Sequence, residues 1–416
     1  GMQTMESTLH YISDRIRAAL ADRTPLRIRG GGSKDFYGNR LEGALLDTTG
    51  LSGILSYEPT ELVVTVGAGT KLVELEALLL ECGQCLPFEP PHFSWSSVGT
   101  AAGSAATVGG MVAAGLSGPA RASAGAVREY VLGLHLVNGL GEELVYGGQV
   151  MKNVAGYDVS RMMVGSMGTL GLITEVSLKV LPVAPAEATL VFALDQASAL
   201  DCLHRWGGQP LPLNASCWVH DHSAGAAGQD LLFVRLRGAV AAVDAACQKM
   251  LAEVTGQRME NAQAQADWKL CRNQQLPFFA RPADPNLALW RLSVAQTAPV
   301  LDLPSSPLIE WHGGLRWLWA PLEAGPKLQA QAAAYGGSAT VFVAPCADST
   351  RAGGCLTAGP PQGETLPLGG QRGTRSDKRG GQFCLQDSAL MAIQQRLKAS
   401  LDPQGIFNPR RLFDAW

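Results

Sequence analysis

The chain has no run of about 18 consecutive apolar residues, the length a helix needs to cross a bilayer. Its first residues lack a basic stretch followed by an apolar one, so no secretory leader is legible and a soluble, cytoplasmic protein is expected. The leading Gly1, ahead of Met2, reads as an expression remnant. Neither sign of charge is in excess: 33 Lys and Arg against 36 Asp and Glu leave a net charge of −3. That removes the electrostatic case for nucleic acid or an anionic surface as partner. Four cysteines at iron–sulfur spacing are missing too, so the chain cannot hold such a cluster itself. Its nine cysteines are odd in number and scattered from Cys82 to Cys384, which argues against a disulfide framework. The Cys82-Gly83-Gln84-Cys85 spacing suits a redox dithiol. It also follows the helical pattern Leu72 to Leu80, where Gly83 fits a C-terminal cap and the cysteines are ordinary helix-end residues. His220 and His222 share a face only on a strand and have no third ligand nearby, so no metal site is expected.

Glycine is plentiful, with 48 residues in 416, and its placement carries the chemistry. Arg29-Gly30-Gly31-Gly32-Ser33-Lys34 follows the short strand pattern Pro25 to Ile28. Consecutive glycines let successive N–H groups point into one concavity, and the flanking Arg29, Ser33 and Lys34 add donors and positive charge suited to a pyrophosphate. The Gly-Lys-Ser/Thr ending of a P-loop is absent, and the glycine spacing is not that of a Rossmann turn. A second loop of small residues runs from Thr107 through Gly109, Gly110 and Gly115 to Pro119 and suits a flat ligand lying against backbone. A third segment joins Lys152-Asn153-Val154-Ala155-Gly156-Tyr157-Asp158 to Gly165-Ser166-Met167-Gly168-Thr169-Leu170-Gly171 and then to the alternating strand Glu175 to Leu181. For each segment, plain turn formation is the competing account.

These motifs, with Val64-Thr65-Val66-Gly67-Ala68-Gly69-Thr70 and Pro87-Phe88-Glu89-Pro90-Pro91 between them, resemble the FAD-binding domain of the vanillyl-alcohol oxidase and p-cresol methylhydroxylase (PCMH) flavoproteins. Within that superfamily the pattern is most similar to the FAD-binding E subunits of bacterial glycolate oxidases. It covers residues 25 to 183 closely and returns in Leu401-Asp402-Pro403-Gln404-Gly405-Ile406-Phe407-Asn408-Pro409. The resemblance implies an α+β fold: a PCMH-type FAD-binding domain of two subdomains over 1–184, and an α/β cap domain over 185–383. A C-terminal tail over 384–416 would then return to the first domain.

The resemblance also implies where FAD lies. The pyrophosphate falls on Gly30, Gly31, Gly32 and Ser33, and Thr107, Gly109 and Gly110 contact the cofactor from the second loop. Adenine falls near Gly165, Thr169 and the main chain of Ile173. Lys152, Gly156, Tyr157 and Asp158 close the site, and Pro90 and Asn408 approach the ring. The first loop has no His or Cys where covalently flavinylated relatives carry one, so non-covalent FAD is expected. Relatives that oxidise 2-hydroxy acids unaided carry His-Gly-x-x-Gly-Asp-Gly-Asn-x-His in the cap. Here the nearest piece, Glu310-Trp311-His312-Gly313-Gly314, lacks those ligands, and Met167 stands where those relatives usually have Glu. With no evident base or metal, the resemblance implies a subunit that works with a D-type flavin subunit and an iron–sulfur subunit to oxidise glycolate, a small 2-hydroxy acid. Such a subunit is cytoplasmic or, through its partners, peripheral at the inner face of the membrane. A self-sufficient alcohol or 2-hydroxy-acid dehydrogenase and a non-catalytic assembly scaffold are the other two readings.

The rest of the chain reads as alternating elements. Residues 6–21 form an amphipathic helix, strands follow near 26–29, 44–48, 53–57 and 62–66, and Thr70 is placed to cap a helix over 71–82. Strands near 131–138 and 143–146 flank the turn Asn138 to Gly141. Past Pro182 and Pro185, strands are expected near 188–194, 230–236 and 287–295, with an alanine-rich helix over 239–254. Segment 346–383 is rich in Gly, Pro, Ser and Arg and reads as a mobile loop, before a helix from Asp387 to Leu401. Arg272 and Arg291 are candidates to bind a substrate carboxylate, since a guanidinium grips that group with two parallel bonds. Against that, Trp290 and Leu292 could alternate onto a core while Arg291 points to solvent.

Overall fold

The structure, a computed structural model, describes the chain except for residues 1, 34, 36–40, 93–104, 148–152, 155–156, 223–224, 347–387 and 412–416. Lys34, Lys152, Gly156 and nearly all of segment 346–383 therefore lie outside the described residues. Of Tyr157 and Asp158 only the backbone is described, paired with Val154 and Asn153.

Helix Met2–Asp22 forms because Ile12, Ile16 and Ala19 recur at helical spacing and are buried together. They pack on a parallel pair of strands, Leu26–Arg29 and Ala44–Asp47. The end of the chain joins the same unit. Leu26 N–H donates to Ile406 C=O at 2.6 Å, Asn408 N–H donates to Leu26 C=O at 2.8 Å, and Phe407 is buried among the helix residues.

Beside this unit stands a five-stranded antiparallel sheet in the order Ile54–Glu58, Val63–Gly67, Leu172–Lys179, Val131–Val137 and Glu143–Gly147. Its inner residues Val64, Val66, Leu134, Leu136, Val176 and Leu178 are buried under helices Leu72–Glu81, Val108–Ala114 and Ser388–Leu401. Two local expectations need correction. Thr70 does not cap the Leu72–Glu81 helix: its hydroxyl is spent on Gly53, accepting from N–H at 3.0 Å and donating to C=O at 3.3 Å. Lys71 is the cap residue, and Leu72 N–H is satisfied instead by Ala106 C=O at 2.9 Å, so side-chain capping is not required there. The second glycine segment is not a loop but the short helix Val108–Ala114, whose cap Thr107 accepts from Gly110 N–H at 3.1 Å. At the other end of the Leu72–Glu81 helix, Gly83 takes φ +69°, the left-handed geometry of a helix terminator. Cys82 and Cys85 flank it as free thiols.

Residues Ala186 to Val343 build an eight-stranded sheet, antiparallel throughout, in the order Gly256–Arg258, Ala186–Ala193, Gln229–Gly238, Leu213–Asp221, Leu308–Glu310, Leu315–Pro321, Leu287–Ser293 and Ser338–Val343. Both faces are covered. Helices Gln196–Gly207, Val240–Glu253 and Gly325–Ala334 pack on one face. The other carries helix Asn261–Arg272 and an aromatic layer of Trp268, Phe279, Trp311, Trp317 and Phe342, which reaches Ala114, Leu116 and Met167 of the first half. Arg291 is accordingly not solvent-facing: it is 1 % exposed, with its guanidinium 4.9 Å from the Trp317 ring centre and 5.4 Å from that of Trp311. Trp290 and Leu292 do face the opposite core, but in a sheet covered on both sides the alternate positions are buried as well.

The two halves are joined by specific contacts. Glu89 forms a two-pronged ion pair with Arg235, which is 1 % exposed. Trp311 Nε1–H donates to Gly118 C=O at 3.1 Å, and Asn273 Oδ1 accepts from His92 N–H at 3.0 Å.

Candidate cofactor cleft

The loop that leaves strand Leu26–Arg29, helix Val108–Ala114 and the turn at Met167–Gly168 converge on one cleft. Gly30, Gly31, Gly32 and Ser33 form one lip, Thr107, Gly109 and Gly110 the facing one, and Ala68, Ala113 and Ile173 line the space between. Three stretches far apart in sequence thus meet, as the glycine pattern anticipated.

The glycines are required for close approach of backbone to backbone. A Cβ on Gly31 would overlap the carbonyl oxygen of Ala105, and one on Gly109 would come within 2.8 Å of Ala68 Cβ. Gly32 has φ +74°, and the Arg29 guanidinium folds over it on its way to Asp35, with Nε 3.1 Å from Oδ2. Among the described residues, the N–H groups of Gly31 and Gly32 enter no hydrogen bond. Two unspent main-chain donors beside a guanidinium in a loop too tight for any side chain fit a bound pyrophosphate.

The far end of the cleft is fixed by Asn408, a residue at φ +40° whose side chain is used twice. Oδ1 accepts from Ile28 N–H at 2.7 Å, and Nδ2–H donates to Met167 C=O at 2.7 Å. Met167 itself holds φ +55°, unusual for a side-chain-bearing residue, and its N–H donates to Ala113 C=O at 2.9 Å. Met167 is thus held from both sides, and Gly168 must be glycine because a Cβ would run into Asn408 Nδ2. Lys398 stands behind this turn: its buried ammonium donates to Thr169 C=O at 2.6 Å and to Asp402 Oδ2 at 2.7 Å. Burial pushes its pKa down against the pull of Asp402.

Of the residues singled out from sequence, Arg29, Gly30, Gly31, Gly32, Ser33, Thr107, Gly109, Gly110, Ile173 and Asn408 line the cleft. Pro90, Gly165 and Thr169 are outside its lining. Gly165 N–H donates to Val112 C=O and Thr169 Oγ1–H to Ser166 C=O, so both shape the turn behind the wall. Arg272 and Arg291 do not line the cleft either. Ala68, Ala113, Gly168 and Gly171, which lie within the quoted motifs but had been given no contact of their own, do, as do Thr48 and Arg411, which no motif had marked. Arg411 is buried, and only its place three residues beyond Asn408 hinted at the site. His, Cys and Tyr, the side chains able to form a covalent flavin bond, are absent from the described lining. Among those lining residues the one carboxylate, Asp35, is already paired with Arg29.

Comparison with known proteins shows which cofactor the chain uses. Residues 7–147 match the FAD binding domain family. Along its whole length the chain is similar to glycolate oxidase subunit GlcE of Escherichia coli (strain K12), at 39% identity over 401 residues, 96% of either chain. This chain belongs to the GlcE family of FAD-dependent oxidoreductases. FAD is its cofactor. A more limited likeness, to glycolate oxidase subunit GlcD of Bacillus subtilis (strain 168), is 31% over 179 residues, 42% of this chain and 36% of that one. D-lactate dehydrogenase of Anaerostipes hadrus is 31% identical over 161 residues, 39% and 31% of the respective chains. Among solved structures, alkyldihydroxyacetonephosphate synthase shares the fold at TM-score 0.60 and 17% identity, over 96% of this chain and 75% of that one. The mixed helix-and-sheet fold expected from sequence is therefore the fold observed.

The eight-stranded sheet of this chain holds its own buried polar group. Glu310 is fully buried, accepts from Trp317 Nε1–H at 2.8 Å and from the Cys271 thiol at 3.4 Å, and burial pushes its carboxyl up to about 7. Next to it His312, bridging Ser216 and Ser123 at 2.9 and 3.1 Å, is pushed by burial down to about 4 and stays neutral. Neither lines the cleft. Among the described residues no group of three or more His, Cys, Asp or Glu side chains could hold a metal ion.

Proposed function

We propose that the chain is the FAD-carrying subunit of a glycolate-oxidising complex, working with a D-type flavin subunit and an iron–sulfur subunit to convert glycolate to glyoxylate. The observation that carries this reading is the likeness to GlcE over 96% of both chains. The cleft agrees with it: its described lining offers tight backbone for a dinucleotide but no uncommitted carboxylate or imidazole to take a hydroxyl proton from a substrate. That favours a supporting subunit over a self-sufficient dehydrogenase.

In this reading residues 1–184 form the FAD-binding domain, 185–383 the cap and 384–416 the returning tail. Bound FAD supplies the redox chemistry, accepting and releasing electrons. The protein's part is to bind and orient. Main-chain N–H groups of Gly31 and Gly32, with Ser33, Arg29 and Lys34, take the pyrophosphate. Thr107, Gly109 and Gly110 press from the facing lip, and Arg411, which donates to Asp35 C=O at 3.5 Å, adds a second guanidinium on the side of Arg29. Ile173, with Gly165 and Thr169 behind it, shapes the adenine end. Asn408 fixes the ring end together with Pro90, and Lys152, Gly156, Tyr157 and Asp158 complete the closure. FAD is held non-covalently, since the first glycine loop, Arg29 to Asp35, has no His or Cys. No described helix is long and apolar enough to cross a membrane, so attachment to the inner face would run through the partner subunits.

The test is anaerobic addition of glycolate to the FAD-loaded chain, alone and mixed with its D-type and iron–sulfur partners, while flavin absorbance is followed. Bleaching only in the mixture is expected. Bleaching of the isolated chain would establish a self-sufficient dehydrogenase instead, and a chain that folds but cannot retain FAD would point to a scaffold. Flavin that precipitates with acid-denatured protein would contradict non-covalent binding.

A further inference from the structure

A second cavity, of about 510 Å³, lies where the two halves meet, and none of its lining residues belongs to the cofactor cleft. One wall is a stripe on helix Asn261–Arg272: Asn261, Gln265, Lys269 and Arg272 recur at i, i+4, i+8 and i+11. Such a polar stripe on an amphipathic helix ordinarily faces bulk water. Here Asn261, Gln265 and Lys269 are exposed and Arg272 is half-buried, and together they border a solvent-open cavity of the size that holds small molecules.

The charges in the cavity are unevenly matched. Each carboxylate of the opposite wall already has its partner: Glu89 is gripped by Arg235, Glu187 by Arg237, and Glu76 lies 2.9 Å from His92 Nε2. Lys269 and Arg272 form no ion pair among the described residues, although Arg272 lies near enough to Glu89 to help hold that carboxyl's pKa down, after Arg235 and Arg237, and its Nε–H meets Asn273 Oδ1 at a long 3.4 Å.

We propose that this junction cavity binds a small carboxylate anion, gripped by Arg272 and Lys269 and oriented by the amides of Gln265 and Asn261. The planar fork of a guanidinium matches the two oxygens of a carboxylate, and the ammonium adds a second charge-assisted bond. Trp268 closes one side of the site, its indole N–H donating to Thr189 Oγ1 at 3.0 Å and its ring 5.0 Å from the Arg235 guanidinium. Neither cation lines the cofactor cleft.

The test is calorimetric titration of the FAD-loaded full chain at low salt with malonate and, separately, with inorganic phosphate. One malonate site is expected, weakened roughly tenfold by Arg272→Ala and by Lys269→Ala, with flavin content unchanged. Gln265→Leu, which keeps both charges, should weaken it several-fold and serves as the reading if a charge variant loses flavin. Absence of malonate binding, or equal affinity in the Lys269→Ala, Arg272→Ala double variant, would overturn the proposal. Phosphate binding as tightly as malonate would overturn the carboxylate as the ligand class.

Discussion

At the scale of single residues the glycines are the decisive positions, and the structure gives a sharper reason for them than the ligand does. Gly31 is confined by Ala105 C=O, so a methyl group there forces the 30–33 loop and its neighbour apart before any cofactor arrives. Gly31→Ala should therefore cost about 1–3 kcal/mol through overpacking and weaken FAD retention by roughly ten- to a hundredfold. The ratio of flavin to protein absorbance after desalting measures it, and an unchanged ratio would remove this loop from the site. Which glycines matter was legible in the sequence, because runs such as Arg29-Gly30-Gly31-Gly32 are conspicuous. Arg411 and Thr48 were not, since a lone Arg or Thr carries little positional signal until the chain has folded around it. Asn408 was marked as a residue near the ring, yet its side chain is spent stitching Ile28 to Met167.

At the scale of elements, strand Leu308–Glu310 and the turn after it hold two titratable groups whose effects oppose each other. Glu310, moved from an ordinary 4.5 up to about 7, binds its proton more tightly in the folded chain. The stability this contributes is fully present below pH 4.5 and lost as pH rises through 7. His312, moved from 6.5 down to about 4, does the reverse: its contribution is present above pH 6.5 and lost as pH falls through 4. Each amounts to about 3 kcal/mol over its range, so between pH 4.5 and 6.5 the two slopes nearly cancel. Glu310→Gln keeps an acceptor for Trp317 and removes one slope. Its urea midpoint should climb steeply with pH from 4.5 to 6.5 where the parent stays flat, and above pH 7 it should gain on the parent by up to about 3 kcal/mol relative to pH 5. Parallel pH profiles for variant and parent would show that Glu310 titrates normally. Composition of this stretch drew notice only as a motif lacking its metal ligands. What buries Glu310 is packing by Trp317 and Cys271, which arrive from other elements.

At the scale of the whole molecule, the sequence announced a boundary near Pro182 to Pro185 but not how the parts on either side hold together. Glu89 was read as one letter of a Pro-Phe-Glu-Pro-Pro motif. Its partner Arg235 lies 146 residues away, a separation that local pattern cannot bridge. The pair is tightly built: both guanidinium ends meet the carboxylate, Arg235 Nε–H also donates to Asn214 Oδ1 at 2.9 Å, and Glu89 accepts from Ala120 N–H at 3.1 Å. Burial alone would raise the Glu89 carboxyl, but Arg235 and Arg237 outweigh it and hold the pKa down. Removing one partner of such a pair strands a buried charge, so Arg235→Ala should cost about 3–5 kcal/mol. The Glu89→Gln, Arg235→Met double variant should recover much of that, because neither charge is then left alone. Because the pair joins the two halves, the loss falls on their coupling. In Arg235→Ala the urea transition seen by flavin fluorescence, which reports on the first half, should separate from that seen by tryptophan, which is concentrated in the second. Coincident transitions at the parent midpoint would mean that the aromatic layer between Met167 and Trp311 holds the halves together without this ion pair.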